Sequence, residues 1–416
     1  MEKLRPAHNN YVTGRDFFWD REREIELFIE KLDEGAHIQL LAPRRMGKTS
    51  LLHEVARRLG DRYVCLYLDL QASKSPSDAV VELSVATRPH ASIWQKTKRV
   101  FSNILERVEV SIDSLDVHDI KIALNAGVSA GNWKAKGENL LCALGECEKP
   151  VAIFIDEVTL LVNRILKGAD HRITSERLQL ADEFMSWFRE SSIKHKGTIR
   201  IVLTGSIGLE PILRQAGLSG TVTTFTPFEL KPWDTDTAEG CLQALANGAG
   251  VTFEEGAKER VLEKLGCFIP QHVQMFFEHI YDNCRCKGNM ECSRDDVLGV
   301  YNDRMLSTRG HAELAQLEER LGWVLGEELF PLALELLTEA AVTGHLSMDS
   351  ARILLRGYEF KNRRPNDVLR EIMDILEYDG YLSRAPTGFA FKSTLIRDWW
   401  DGRHRLFFIP ASDRKM

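Results

Sequence analysis

Leu40-Leu41-Ala42-Pro43-Arg44-Arg45-Met46-Gly47-Lys48-Thr49-Ser50-Leu51 decides how this chain is read, because it has the pattern of a phosphate-binding loop. Such a loop wraps successive backbone N–H groups around the α- and β-phosphates of a nucleotide. The helix that follows points its positive N-terminal end at the same charge. Lys48 is spaced to reach the β- and γ-phosphates, and the Thr49 hydroxyl to ligate Mg2+. Pro43, Arg44, Arg45, Met46, Gly47 and Ser50 complete the candidate cradle. One position departs from G-x-x-x-x-G-K-[ST]: Ala42 stands where the first glycine is usual. Alanine fits there only if the residue keeps a negative φ.

The pattern alone arises by chance in roughly three of a hundred chains of this length, so its context must carry the reading. Ile38 to Leu41 is a short apolar run suited to a buried strand. Beyond the loop, Leu51, Leu52, Val55, Ala56 and Leu59 recur at helical spacing until Gly60 stops the helix. Strand, loop and helix follow in the order that phosphate binding requires.

A second element of this kind is Val151-Ala152-Ile153-Phe154-Ile155-Asp156-Glu157. Five apolar residues predict a strand buried on both faces, with two acids at its carboxyl end, where parallel sheets bind ligands. Asp156 is the candidate to hold Mg2+ through its water shell, and Glu157 to polarise an attacking water. The alternative is structural, since acids often follow strands as helix N-caps. A third strand, Ile199 to Leu203, runs into Thr204-Gly205-Ser206. Ser206 there is either a sensor of the γ-phosphate or water, or a cap for a helix over Leu209 to Leu213.

At 416 residues the chain calls for two or three domains. Hydrophobic content of 44% and charged content of 28% describe an ordinary globular protein, and no apolar run is long enough for a membrane span. Met1-Glu2-Lys3-Leu4-Arg5-Pro6 lacks the apolar core of a signal peptide, so a cytoplasmic protein is expected. The net charge of −7 argues against a surface that grips nucleic acid all over and leaves room for one basic face. Among eight cysteines, Cys284, Cys286 and Cys292 cluster near His279. The spacing C-x-C-x5-C fits no common zinc pattern, and thiols are the simpler reading.

Taken together, Gly14-Arg15, A-P-R-R-M-G-K-T-S, F-I-D-E and L-T-G-S-I-G-L resemble the archaeal-type P-loop ATPases. These belong with the AAA+ and STAND regulatory ATPases, relatives of origin-recognition and initiator proteins. The resemblance covers about residues 11 to 285 well and the remainder more loosely. It implies an α/β fold: a P-loop NTPase core with a parallel sheet over 1–230, a helical lid over 231–290, and a helical, winged-helix-like domain over 291–416. It also implies ATP and Mg2+ as cofactors, with Gly14 and Arg15 near the nucleotide. Members of the STAND group often carry an arginine directly after the third strand, and T-G-S-I-G-L has none. Arg214, Arg44, Arg45 and an arginine finger from a neighbouring subunit remain alternatives.

After the expected last core strand, Thr223 to Leu230, the pattern turns helical over Ala238 to Leu245, Ala257 to Leu265 and Val273 to Tyr281. Gln271 and His272 lie where such a lid approaches phosphate. Further on, Ala351 to Leu355 reads as a short helix. Val368, Leu369, Ile372, Ile375 and Leu376 form the apolar face of a longer one. Asp379-Gly380 and Thr387-Gly388 are turns around Tyr381-Leu382 and the alternating Phe389 and Phe391. Helix, helix and hairpin is a winged-helix pattern, one that can lie on DNA. Residues 351–416 hold 13 Lys and Arg against nine Asp and Glu. The helix carrying Arg370 also carries Glu371, Asp374 and Glu377, which repel phosphates and favour a protein partner.

The reading is therefore an ATP-hydrolysing switch that couples Mg-ATP to domain movement, oligomerisation or partner engagement. Lys48, Glu157 and Ser206 are its candidate catalytic residues, with Thr49 and Asp156 toward the metal. The alternative is a DNA-binding ATPase of initiator or transposition-helper type that uses residues 351–416, with Arg363, Arg364, Lys361 and Arg384 as backbone contacts.

Overall fold

The computed structural model describes residues 3–5, 12, 14, 16–105, 116–307, 312–360 and 363–414. Arg15 and Lys361 lie outside the described residues. The chain divides into two compact units. One comprises Arg21–Ala42 and Leu51–Leu230; the other comprises Met1–Asp20, Pro43–Ser50 and Lys231–Met416.

The first unit is built on a five-stranded, all-parallel sheet of order β2-β3-β4-β1-β5. The strands are β1 (His37–Leu41), β2 (Val64–Asp69), β3 (Val151–Asp156), β4 (Ile199–Thr204) and β5 (Phe225–Glu229). β3 and β4 are buried at every position, as the middle of a covered parallel sheet requires; Arg200 within β4 is accommodated there by donating its Nε–H to the Leu32 carbonyl at 2.8 Å. Helix α1 (Glu22–Asp33) precedes β1, and α2 (Lys48–Leu59) follows it. Between β2 and β3 run α3 (Pro76–Ala86), α4 (Ala91–Val100), α5 (Ser102–Leu105), α6 (Val117–Gly127) and α7 (Trp133–Gly145). α8 (Val158–Lys167) and α9 (Ser175–Lys194) lie between β3 and β4, and α10 (Leu209–Gln215) between β4 and β5.

Aromatic packing closes this core: Trp133, Phe184, Trp187 and Phe188 meet edge-on, tilted or, for Phe184 with Trp187, stacked, at centroid distances of 4.9 to 6.3 Å. Gly137 on α7 is small because Trp187 leaves no room, since a Cβ there would lie 2.7 Å from the indole.

In the other unit, α11 (Thr235–Ala249), α12 (Ala257–Leu265), α13 (Pro270–Lys287) and α14 (Arg294–Val300) form a helical group. It is pinned by a two-residue parallel pairing of β6 (Thr252–Phe253) with β7 (Glu291–Cys292). Then follows α15 (Ala312–Thr343), which is broken by the non-helical Gly326. α16 (Met348–Leu355), α17 (Pro365–Tyr378) and the hairpin β8 (Leu382–Ala385) with β9 (Gly388–Phe391) give the helix–helix–hairpin order read from the sequence. α18 (Thr394–His404) returns against α15 and buries Trp399 and Trp400, the latter donating its indole N–H to Thr338 Oγ1 at 3.2 Å. Phe407, by contrast, is 92% exposed.

Candidate functional site

Three strands end together at the carboxyl edge of the sheet. Leu40 pairs with Thr204, and Asp69 with Asp156; one step beyond the Ile155–Leu203 pair, Asp156 comes level with Thr204. Asp69, Asp156, Thr204 and Leu40 thus make one row, and just past it the chain leaves β1 for the phosphate-loop sequence. Edges of this kind bind ligands because successive crossovers diverge there.

Asp156 is 7% exposed, and both of its oxygens accept hydrogen bonds: Oδ2 from the Tyr67 hydroxyl at 2.7 Å, Oδ1 from the Glu157 N–H at 3.0 Å. Glu157 follows with φ of +59°, a left-handed conformation that costs a non-glycine residue on the order of 1 kcal/mol. It occupies the N-cap position of α8 but makes no side-chain cap hydrogen bond. Instead its Oε2 accepts from Ser206, from the N–H at 3.0 Å and the hydroxyl at 2.8 Å. Ser206 does not cap α10, whose N-cap is Gly208. The structural alternatives for both residues, helix capping, therefore do not describe what their side chains do.

Two residues of this edge were not singled out from the sequence. Tyr67 is one; its ring stacks on His53 of α2 with centroids 4.5 Å apart. Burial lowers the His53 pKa, and the Asp156 carboxylate opposes that shift. The other is Thr204, 3% exposed, whose hydroxyl has no hydrogen-bond partner among the described residues. A tyrosine within an otherwise aliphatic V-C-L-Y-L-D strand was the only signal available for the first.

The loop residues pack in the other unit. Ala42 keeps a negative φ, as its substitution for glycine demands, whereas Arg45 (+70°) and Gly47 (+83°) take left-handed conformations that turn the chain. Lys48 is buried and folds back to donate its ammonium to the Pro43 carbonyl at 2.9 Å. Ser50 Oγ accepts the Val12 N–H at 3.0 Å, and Gly14 accepts at its carbonyl from Phe17 and Phe18 in a tight turn. The segments that hold the loop come from far along the chain. Arg44 donates to Gln316 Oε1 on α15, the Gln271 N–H donates to the Arg45 carbonyl at 3.5 Å, and Pro43 lies against Gly380. His272, the third residue of α13, is 2% exposed, and its Nδ1 has no partner among the described residues; burial, then the Arg45 charge, pulls its pKa down to about 4.

Other candidates are placed elsewhere. Arg214 is exposed and paired with Glu210 at 2.9 Å. Cys284 and Cys292 are buried while Cys286 is exposed, and no cluster of three His, Cys, Asp or Glu able to hold a metal occurs among the described residues. Mg2+ bound to a nucleotide needs no such cluster, because phosphates and water supply most of its ligands. A buried carboxylate at the sheet edge, with its plane held by two donors, fits that demand.

No family model matches the sequence, nor does any curated protein. Solved structures do share the fold. The Walker-type ATPase of Pyrococcus abyssi matches with a TM-score of 0.60 at 16% identity, over 94% of this chain and 98% of that one. The Aeropyrum pernix ORC2 protein, in ADPNP–ADP complexes, matches with a TM-score of 0.52 at 14% identity, over 95% and 97%. The chain therefore shares the fold of these structures, a P-loop NTPase core followed by a helical C-terminal region.

Proposed function

We propose that this protein is a Mg-ATP-hydrolysing switch whose nucleotide state is passed to its C-terminal helices. The observation that carries the reading is the edge row of Asp156 and Thr204 beside the strand that feeds A-P-R-R-M-G-K-T-S. Lys48 neutralises the transferred phosphoryl group, and the backbone N–H groups of Pro43-to-Ser50 residues, proline apart, cradle the other phosphates. Thr49 and Asp156 hold the metal. When bound, Mg2+ draws charge from the phosphate oxygens. Glu157 orients the water and takes its proton, while Ser206 fixes the carboxylate that does so. The names of the two fold relatives, a Walker-type ATPase and a protein seen with ADPNP and ADP, support a nucleotide ligand.

The coupling follows from the same loop. Nucleotide entry requires Lys48 to leave the Pro43 carbonyl, and Pro43, Arg44 and Arg45 are the residues that touch Gly380, Gln316 and Gln271. Occupancy is thereby felt by α13, α15 and the α17–β8 turn. A protein partner is favoured over duplex DNA for residues 351–416. Arg352, Arg363, Arg370 and Arg384 each pair with a carboxylate of their own module, namely Asp349, Glu371, Asp367 and Glu377. Among the described residues no helix is long and apolar enough to cross a membrane.

Phosphate release from ATP, with and without Mg2+, tests the reading. Turnover that disappears in Lys48→Ala and Glu157→Gln is expected. Wild-type protein that binds no nucleotide overturns it.

A further inference from the structure

We infer that Tyr67 is a positioning residue for the metal-facing carboxylate of Asp156, and that His53 is the platform that holds the Tyr67 ring; the inference rests on the nucleotide reading above. Tyr67 pairs with Phe154 across β2 and β3, so Asp156 is its diagonal neighbour two residues on, within reach of a long side chain. Its hydroxyl donates to Asp156 Oδ2 at 2.7 Å, a well-formed O–H···O distance. With Oδ1 taking the Glu157 N–H, the carboxylate is held at both oxygens, which opposes rotation about its Cβ–Cγ bond.

A phenol has its own freedom, and something must remove it. His53 lies nearly parallel to the Tyr67 ring, with centroids 4.5 Å apart and planes 22° apart. The chain His53–Tyr67–Asp156 therefore links α2 to the tip of β3 through one stack and one hydrogen bond. Mg2+ accepts only small departures from octahedral geometry. A carboxylate free to rotate spends less time in the binding orientation, and loss of the partner that orients a metal ligand commonly weakens metal binding tenfold or more. A tyrosine that merely satisfied a buried acid would leave metal affinity alone.

Mn2+ can stand in for Mg2+ and is read directly by electron paramagnetic resonance on the full-length protein with ADP. Tyr67→Phe keeps the ring and the stack but lacks the donor; the Mn2+ concentration for half-saturation is expected to rise about tenfold. Affinity for a fluorescent ADP in excess EDTA should stay at the wild-type value. His53→Leu should shift the Mn2+ midpoint about threefold in the same direction, and His53→Phe, which restores a flat ring, should return it. A Tyr67→Phe midpoint equal to wild type, in protein that melts normally, overturns the proposal. So does a His53→Leu midpoint equal to wild type where Tyr67→Phe fails to fold. Wild-type protein that binds no ADP overturns the nucleotide reading itself, whereas metal-dependent ADP binding that is insensitive to both substitutions overturns this inference alone.

Discussion

Ser206 donates two hydrogen bonds to a single oxygen of Glu157, from its backbone N–H and from its hydroxyl. The serine follows β4 and the glutamate follows β3, so adjacent strands bring them together at their carboxyl ends. A carboxylate held this way, on a backbone at φ +59°, is oriented before substrate arrives.

Removing the hydroxyl leaves the backbone donor. Ser206→Ala is therefore expected to lower kcat for ATP hydrolysis about tenfold with little change in KM, as loss of one orienting hydrogen bond does. Glu157→Gln should cost at least about a hundredfold while keeping nucleotide affinity. Steady-state phosphate release with a parallel nucleotide-binding titration separates the two.

Lys48→Ala removes the ammonium that rests on the Pro43 carbonyl. Nucleotide affinity should fall about a hundredfold, or ~2.7 kcal/mol, measured by titration calorimetry with ATP. Retained affinity would mean that the loop does not use this lysine.

Gly380 has φ of +81°, and a Cβ there would sit 2.9 Å from Pro43 Cγ. Gly380→Ala should cost about 1–2 kcal/mol of stability and also change ADP affinity, because the strain bears on the phosphate loop. Gly344 has φ of +86° with nothing within 4 Å of a built Cβ. Gly344→Ala should cost about 1 kcal/mol and leave ADP affinity unchanged. Denaturant titrations and ADP titrations of both variants check the contrast.

Acid should destabilise the fold through two buried imidazoles. Burial pulls His37 and His272 down to about 4 from the usual 6.5. Protons therefore bind the unfolded chain first, and stability that is full above pH 6.5 is lost as pH falls toward 4. His37 is 6% exposed; its Nδ1 accepts the Ile201 N–H, and its Nε2 lies 2.9 Å from the Ser192 carbonyl. The combined loss should be a few kcal/mol, since each tenfold fall in proton affinity on folding is worth about 1.4 kcal/mol at most. Urea titrations at pH 7 and pH 5 measure it.

Duplex DNA should bind weakly, with a shallow salt dependence, because the basic residues of the helix–helix–hairpin module are largely paired. A steep dependence that Arg363→Ala and Arg364→Ala flatten would move the alternative reading ahead.

Much of the first unit was legible because its signals are local. The apolar runs before Leu41, Asp156 and Thr204 are strands, and Gly60 closes the helix that follows the loop. β2 was not marked, since V-C-L-Y-L-D is a short apolar run that periodicity cannot tell from a helix segment. Tyr67 went unremarked for the same reason: only its partner across the strands gives it meaning, and Asp156 is 89 residues away. His272 was legible only as a residue where a lid approaches phosphate, and its burial depends on what packs over α13.

Residue order alone carried the reading of a phosphate loop, because such a loop needs one contiguous stretch with a set spacing of glycine, lysine and threonine. It also determined that two acids end an apolar strand. Only the tertiary structure decided what those acids do: Asp156 is gripped by Tyr67, and Glu157 turns to Ser206 rather than capping α8. It also decided that Pro43, Arg44 and Arg45 pack with Gly380, Gln316 and Gln271, hundreds of residues further on. Hydrogen-bond partners depend on distance in space, and chain separation says nothing about it until the sheet has fixed which strand ends are neighbours.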